Sequence, residues 1–241
     1  MKKGIYFVPG LFTLGNIGLG FYSIISSIER NFTSSAWAIL LAVILDVFDG
    51  RIARLTKSTS RFGLEFDSLA DSVSFGVAPS ILMYQVVLKN MRGGTLVAFL
   101  FMIAGVLRLA RFNVKVAEKD IAYFDGLPIP VGGGMLASLF VLPFWAEETY
   151  FFYGSIPLIM IALSFLMVSK IKYINFKKVR VTRRQPFKIL IIMLVVLIVW
   201  FFSTSLISML FLIYFVGYTL SGIVNALWRF YKLHPVWVKQ R

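Results

Sequence analysis

Residues 36–71 read AWAILLAVILDVFDGRIARLTKSTSRFGLEFDSLAD, a stretch that joins a long apolar run to a group of acidic side chains. The run carries no charge before Asp46, and Asp49 follows three residues later. Beyond a short polar joint come Asp67 and Asp71. Carboxylates are costly inside an apolar helix, and those that occur there usually serve a function. The stretch therefore predicts membrane helices that carry a functional site.

The composition of the whole chain also indicates a bilayer protein. Of its 241 residues, 59% are hydrophobic and 15% are charged, and the mean hydropathy is +0.82. About a quarter of the residues in an average soluble domain are charged. We expect an all-α polytopic membrane protein with about eight transmembrane helices, each of roughly 20 mostly apolar residues. The predicted spans are 11–28, 36–56, 65–88, 94–112, 128–146, 151–169, 187–203 and 205–228.

These spans divide the chain into three parts. Residues 1–169 form a six-helix catalytic core, 170–188 form a basic joint, and 189–241 form two further transmembrane helices with a basic tail. The last two spans contain no acidic residue, so we expect them to serve as scaffold or as a dimer surface. The basic joint either contacts anionic lipid headgroups or gathers an anionic substrate.

The basic residues predict the orientation of the chain in the membrane. The sequence has 25 basic and 11 acidic residues, which gives a formal net charge of +14. Basic residues of membrane proteins concentrate in cytoplasmic loops. With the spans above, every basic residue except Arg30, Lys89 and Arg92 falls on one side. We therefore expect a multi-pass protein of the cell membrane, with cytoplasmic termini and active site, that contacts membrane lipids and has no nucleic acid partner.

The four aspartates are spaced so that they can meet. Asp46 and Asp49 are three residues apart, and Asp67 and Asp71 are four apart, so each pair shares one helical face. The link between the two helices is short, which makes them antiparallel neighbours. We therefore expect both pairs to lie at a similar depth and to converge.

Converging carboxylates predict a divalent metal site, because like charges repel each other unless a cation neutralises them. Their hard oxygen ligands suit Mg²⁺, Mn²⁺ or Ca²⁺, and the chain has no cysteine. An alternative is that Arg51, Arg54 and Arg61 form structural ion pairs with the aspartates. The nearby Gly50 and Ala53 either let a bulky ligand approach the backbone or serve helix packing.

The aspartate stretch resembles the motif of the CDP-alcohol phosphotransferase family, present here as Asp46-x-x-Asp49-Gly50-x-x-Ala53-Arg54 and, eight residues later, Gly63-x-x-x-Asp67-x-x-x-Asp71. The resemblance implies that the four aspartates hold two divalent cations on the diphosphate of a CDP-lipid. Mg²⁺ or Mn²⁺ is the expected metal, with Ca²⁺ as an alternative occupant. The resemblance also implies that Asp71 is the general base that takes the proton from an attacking hydroxyl.

The same resemblance implies contacts to the CDP-lipid, made by Gly50, Ala53, Arg54, Ser60 and Gly63. Upstream, Pro9–Asn16 is similar to the family's N-terminal segment, so Thr13 and Asn16 are expected to contact the CDP moiety. Gly10 stands where the family has Asn. The alternative is that Thr13 and Asn16 satisfy backbone groups of an N-terminal turn.

Two segments favour L-serine as the acceptor alcohol. Residues 107–113 (LRLARFN) and 124–130 (FDGLPIP) resemble the corresponding segments of serine-using members of the family. The candidate acceptor contacts are Arg108, Arg111, Asn113 and Asp125. The two arginines share a helical face suited to a carboxylate or a phosphate. The alternatives are arginines that reach lipid headgroups, an asparagine that caps the helix end and an ordinary loop aspartate.

We therefore expect transfer of the phosphatidyl group of CDP-diacylglycerol, or of an archaeol-type CDP-lipid, to L-serine. The runner-up acceptors are glycerol phosphate and inositol phosphate, which would need more cationic residues around them. A cation transporter is a remote alternative, because its ligands should lie near the bilayer midplane. The resemblance also implies a homodimer. Elsewhere, Gly132-Gly133-Gly134 predicts close helix packing, since it lacks the strand and the Lys-Ser/Thr of a phosphate loop.

Overall fold

The computed structural model describes residues 7–55, 60–116, 123–141, 150–174 and 204–233. Within these ranges the chain is almost wholly helical. The helices are α1 (Phe7–Ile28), α2 (Phe32–Leu55), α3 (Arg61–Asp71), α4 (Ala78–Val86), α5 (Gly94–Val116), α6 (Ile129–Val141), α7 (Tyr150–Val168) and α8 (Thr204–Leu233). The remaining elements are a π-helical segment (Ser72–Val77), a 3₁₀ turn (Leu88–Asn90) and two short strands, β1 (Tyr123–Asp125) and β2 (Lys172–Ile174).

Several of these helices are long and apolar enough to cross a membrane. The segments that meet this condition are Gly10–Ile28, Phe32–Gly50, Gly94–Val114 and Ser208–Trp228, while Ile129–Val141 and Gly154–Val168 are shorter apolar helices. The prediction of an all-α, multi-pass membrane protein is thereby confirmed. The predicted span 187–203 lies outside the described residues, so the number of crossings and the division at residues 169 and 188 stay predictions.

Helix α1 packs against α2 on one side and against α3, the π-helical segment and α4 on another. Buried serines join α1 to α2, because Ser35 Oγ lies 2.8 Å from Ser23 Oγ and 2.7 Å from Ser27 Oγ. Gly20 faces the π-helical segment, where an added Cβ would lie 2.8 Å from the Cα of Ser74. Small residues and interhelical hydrogen bonds associate helices in lipid, where hydrophobic burial does not. These contacts fix α2 and α3 to a common partner.

The third predicted span is not a uniform α-helix. Helix α3 ends at Asp71, and the chain continues through the π-helical segment Ser72–Val77 into α4. Ser74 of this segment donates a 2.9 Å hydrogen bond to the carbonyl of Asn16 on α1. A π turn widens a helix locally and often occurs at a functional site. The apolar pattern of residues 65–88 does not reveal it, since a wider turn in a buried helix needs no change of residue type.

The glycine triplet of α6 contacts three different neighbours. Cβ atoms on Gly132 and Gly134 would collide with the side chains of Met167 on α7 and Phe215 on α8. A Cβ on Gly133 would lie 2.7 Å from the carbonyl oxygen of Phe75 in the π-helical segment. The prediction of close helix packing at this triplet is confirmed. Helix α6 is therefore the element around which α7, α8 and the π-helical segment assemble.

Two short strands, which were not predicted from the sequence, pair with each other beside the helices. Strands β1 and β2 pair antiparallel, with Phe124 opposite Tyr173. The buried Tyr173 ring packs against Gly222 of α8 and stacks on Tyr218 at a centroid distance of 5.6 Å. The small ladder therefore holds α8 against the rest of the helices and leaves the all-α class unchanged.

We predict that Gly133→Ala lowers the stability of the protein by about 1–3 kcal/mol, because the added methyl group must displace the Phe75 backbone. The matched control is Gly217→Ala on α8, where a Cβ would meet nothing within 4 Å. This control should leave stability unchanged or raise it by up to about 1 kcal/mol through helix propensity. Thermal unfolding of the detergent-solubilised variants measures both, and equal melting temperatures would contradict the packing role of Gly133.

Candidate active site

Three of the predicted aspartates form one cluster between α2 and α3. Asp46 and Asp49 come from the last turns of α2, and Asp67 comes from α3. One carboxylate oxygen of each lies within 4.8 Å of the others. Asp49 is buried, and the other two are partly buried. The expected convergence of the two helices is confirmed for these three side chains.

Asp71 lies beside this cluster, one helical turn beyond Asp67, at the junction of α3 with the π-helical segment. It is buried, and it lines the same cavity as Asp46 and Asp67. Asp71 follows Asp67 by four residues, which is a rise of about 6 Å along the helix axis. The four aspartates therefore share one site, with Asp71 at the edge of the tightest group.

Helix α1 supplies hydrogen-bond donors to two of the aspartates. Thr13 Oγ1 donates to Asp49 Oδ2 at 3.1 Å, and Asn16 Nδ2 donates to Asp71 Oδ1 at 3.1 Å. Both donors are buried. The sequence predicts Thr13 and Asn16 either at the CDP moiety or in an N-terminal turn. The structure shows both side chains hydrogen-bonded to aspartates, a role that a similarity of short motifs does not reveal. Their contact with the CDP moiety stays a prediction.

The chemistry of this donor set fits a divalent cation. The cluster consists of carboxylate oxygens, and the neighbouring Thr13 adds a hydroxyl. Hard oxygen ligands of this kind are those preferred by Mg²⁺, Mn²⁺ and Ca²⁺. A cation bound among Asp46, Asp49 and Asp67 would also remove the repulsion between their charges. These three side chains, with Asp71 beside them, are the residues that could hold metal.

A cavity of about 190 Å³ opens beside the aspartates and is lined by residues of α2, α3, α5, α6 and α8. Its polar lining includes Asp46, Asp67, Asp71, Ser68 and Arg108. Drug-sized ligands occupy pockets of roughly 300–1,000 Å³. The described cavity therefore has the size and the polarity for a small polar molecule placed next to the carboxylates.

Arg108 is the predicted acceptor residue that the structure brings into this cavity. Its side chain is only 7% exposed although it carries a charge. The guanidinium lies 5.6 Å from the ring centroid of Phe112, and it interacts electrostatically with Asp71. A buried cation needs such compensation, because burial of an isolated charge is expensive. Arg108 is thus held inside the protein and is not an arginine that reaches lipid headgroups.

Arg111 has a different environment, at the end of α7. Its guanidinium donates hydrogen bonds of 2.7–3.2 Å to four backbone carbonyls, those of Asp125, Met167, Val168 and Ser169. The last carbonyls of a helix lack partners within the helix, and a basic side chain can satisfy them. Gly126 passes close to this guanidinium with a φ of +83°, which favours glycine. The contact of Arg111 with the acceptor stays a prediction.

Asn113 and Asp125 also make contacts within the protein. Asn113 donates to Glu65 Oε2 at 3.0 Å and accepts from Ser68 Oγ at 3.1 Å, so it bridges α5 and α3. It lies inside α5 and does not cap the helix end. Asp125 belongs to β1, and its carbonyl accepts from Arg111. For both residues the contact with an acceptor stays a prediction.

The residues predicted to contact the CDP-lipid are only partly described. Gly50 directly follows Asp49 in α2, and the side chains of Ala53 and Arg54 lie outside the described part of the structure. Ser60 is the N-cap of α3, and its Oγ accepts a 2.9 Å hydrogen bond from the Gly63 amide. This cap starts the helix that carries Asp67 and Asp71. The nucleotide contacts of these residues stay predictions.

Helix α8 also contributes to the site, and this contribution was not predicted from the sequence. Tyr214, Phe215 and Tyr218 line the cavity together with the aspartates and Arg108. The last spans were expected to serve as scaffold or as a dimer surface, but α8 also lines the cavity. The available signal was the spacing of Tyr214 and Tyr218, because residues four apart share a helical face and both carry a hydroxyl.

Comparison with known proteins agrees with the motif and the cluster. The sequence model described as CDP-alcohol phosphatidyltransferase matches residues 6–158. CDP-diacylglycerol–serine O-phosphatidyltransferase of Helicobacter pylori strain J99 is 41% identical over 215 residues, which cover 87% of this chain and 90% of the relative. The Bacillus subtilis protein of the same name is 39% identical over 173 residues, 71% of this chain and 92% of the relative.

A third relative is the archaetidylserine synthase of Methanothermobacter thermautotrophicus, which is 39% identical over 168 residues, 69% of each chain. Proteins with this family's domain use divalent cations, and the aspartate cluster offers the ligands for them. The match of the family model over most of the chain, the intact aspartate motif and the relatives lead to one conclusion: the chain belongs to the CDP-alcohol phosphatidyltransferase family.

Proposed function

We propose that the protein transfers the phosphatidyl group of CDP-diacylglycerol, or of an ether-linked CDP-lipid, to the hydroxyl of L-serine and releases CMP. The observation that carries the proposal is that Arg108 and Asp71, a buried cation and a buried carboxylate, line one small cavity beside the aspartate cluster. The relatives named as serine O-phosphatidyltransferases and as an archaetidylserine synthase support the acceptor and both kinds of lipid.

The aspartates would hold the metal on which the reaction depends. Asp46, Asp49, Asp67 and Asp71 are the proposed ligands of two divalent cations, Mg²⁺ or Mn²⁺. When bound, such cations neutralise a diphosphate, align an in-line displacement and stabilise the departing phosphate. Thr13 and Asn16 support this arrangement from α1 by fixing the orientation of Asp49 and Asp71.

Asp71 acts as the general base in this proposal. The serine oxygen forms a bond to the phosphorus of the phosphatidyl group, and Asp71 takes the hydroxyl proton. The bond from that phosphorus to the bridging oxygen of the diphosphate breaks, and its electron pair leaves with CMP. Because Asn16 donates to Oδ1 of Asp71, the carboxylate is held in one orientation throughout.

Arg108 binds the serine carboxylate in this proposal. A guanidinium can pair with a carboxylate through two parallel hydrogen bonds. Among the described residues that line the cavity, Arg108 is the cationic one, and one positive charge balances one carboxylate. A phosphorylated polyol brings a second negative charge that this lining does not balance. The charge of the cavity therefore favours serine over glycerol phosphate or inositol phosphate.

The donor nucleotide occupies the cytoplasmic end of α2 and α3 in this proposal, close to Gly50, Ala53, Arg54, Ser60 and Gly63. The uneven distribution of basic residues supports a cytoplasmic position for this site and for both termini. We also propose a homodimer, which the family resemblance and the apolar last spans support.

We predict that Asp71→Asn lowers the rate of CMP release at least about 100-fold, because it removes a general base and a metal ligand. The measurement uses purified protein in detergent with CDP-diacylglycerol, L-serine and Mg²⁺ or Mn²⁺. The matched control is Glu29→Gln, an exposed acidic residue beyond the end of α1, which should retain full activity. Chelation with EDTA should abolish CMP release, and added metal should restore it. Full activity of Asp71→Asn would exclude the assigned base.

Substitution of Arg108 should change the affinity for the acceptor selectively. We predict that Arg108→Lys raises the KM for L-serine at least about tenfold, because the lysine keeps the charge but loses the paired hydrogen bonds. The KM for CDP-diacylglycerol should change little, and Arg92→Lys, at an exposed position, serves as control. Release of CMP with glycerol 3-phosphate or inositol 1-phosphate in place of serine would keep the mechanism and overturn the acceptor.

A further inference from the structure

Helix α8 forms part of the wall of the cavity that contains Asp71 and Arg108. Tyr214, Phe215 and Tyr218 provide this wall. All three lie beyond residues 6–158, the part of the chain that matches the family model. The aspartate motif therefore supplies one side of the cavity, and a helix outside the motif supplies another.

Close contacts with small residues hold α8 at the cavity. The Phe215 ring packs against Gly134 of α6, and the Tyr173 ring of β2 packs against Gly222 of α8. Tyr218 stacks on Tyr173 at 5.6 Å between ring centroids. Larger side chains at the two glycines would push α8 outward. The position of the tyrosines at the cavity is therefore specified at two points along the helix, one turn before and one turn after Tyr218.

The tyrosines offer chemistry that matches a zwitterion. Tyr218 is 8% exposed and lies close enough to Arg108 to interact with it electrostatically. A phenol hydroxyl both donates and accepts hydrogen bonds, and the face of an aromatic ring attracts an ammonium group. Arg108 can pair with the carboxylate of an amino acid. The tyrosines line the same small cavity, where they can contact the ammonium group of that amino acid.

We propose that α8 is the acceptor wall of the enzyme, and that Tyr214 and Tyr218 contact the small zwitterionic acceptor and help to determine its specificity. This inference rests on the proposed function, since the wall contacts the acceptor of that reaction. It assigns a substrate-binding role to a helix outside the matched family domain. Both tyrosines line the cavity, with Tyr218 buried and Tyr214 exposed.

A kinetic experiment tests the role of Tyr218. Tyr218→Phe removes only the hydroxyl and keeps the stacked ring, so the fold should be retained. We expect the KM for L-serine to rise about tenfold or more, as for a lost hydrogen bond to a charged group, with the KM for CDP-diacylglycerol within about twofold of wild type. Tyr22→Phe on the exposed face of α1 is the matched control. An unchanged serine KM would overturn the role of Tyr218.

A second experiment tests the wall without catalysis. The chain has no cysteine, so Tyr214→Cys introduces a single thiol at a residue that lines the cavity. L-Serine, added with Mg²⁺ and CDP, should suppress most of the maleimide labelling of this thiol, whereas glycerol 3-phosphate should not. Glu29→Cys, at an exposed position beyond the end of α1, should label equally under all conditions. Labelling of Tyr214→Cys that is indifferent to serine would refute the acceptor wall.

The two experiments separate failure of the wall from failure of the proposed function. Wild-type protein that releases no CMP with serine, combined with thiol labelling that serine does not affect, refutes serine as the acceptor and the wall with it. Wild-type protein that uses serine while both tyrosine variants behave like their controls refutes the wall alone.

Discussion

Carboxylates that lie within a membrane protein must be neutralised or hydrogen-bonded, because a buried charge without a partner costs several kcal/mol. Asp46, Asp49 and Asp67 meet this requirement together, as a cluster that suits a divalent cation. Asp71 meets it through Asn16 and the nearby Arg108. The arrangement of α1, α2, α3 and α5 follows from this constraint, since each of these helices contributes a charge or a donor to the site.

Close helix contacts bring these groups within reach of one another. Gly20 on α1 and Gly133 on α6 both approach the backbone of the π-helical segment, which directly follows Asp71. A side chain at either position would move this segment and with it the end of α3. Because lipid does not drive helices together as water does, contacts between small residues take over that task. Packing just outside the aspartate cluster therefore supports the position of Asp71.

Local patterns in the sequence predicted the parts of the site that depend on helical spacing. The meeting of Asp46, Asp49 and Asp67 follows from two helical repeats joined by a short link. The carbonyl contacts of Arg111 could not be predicted, because their partners lie 14 to 58 residues away in the chain. Helix α8 is apolar for most of its length, and the same pattern serves a lipid-facing scaffold and the wall of a cavity. Only the tertiary contacts of Tyr214 and Tyr218 distinguish the two.

The buried polar face of α1 has a consequence for how the protein enters the membrane during synthesis. Thr13, Asn16, Ser23 and Ser27 are all buried, and their partners lie on α2, α3 and the π-helical segment. Alone in lipid, α1 would expose these groups to hydrocarbon. The helix therefore gains its full stability in the bilayer only after residues as far along the chain as Ser74 have emerged from the ribosome. Insertion of α1 and α2 as a hairpin, followed by α3, satisfies the polar groups in the order in which they are made.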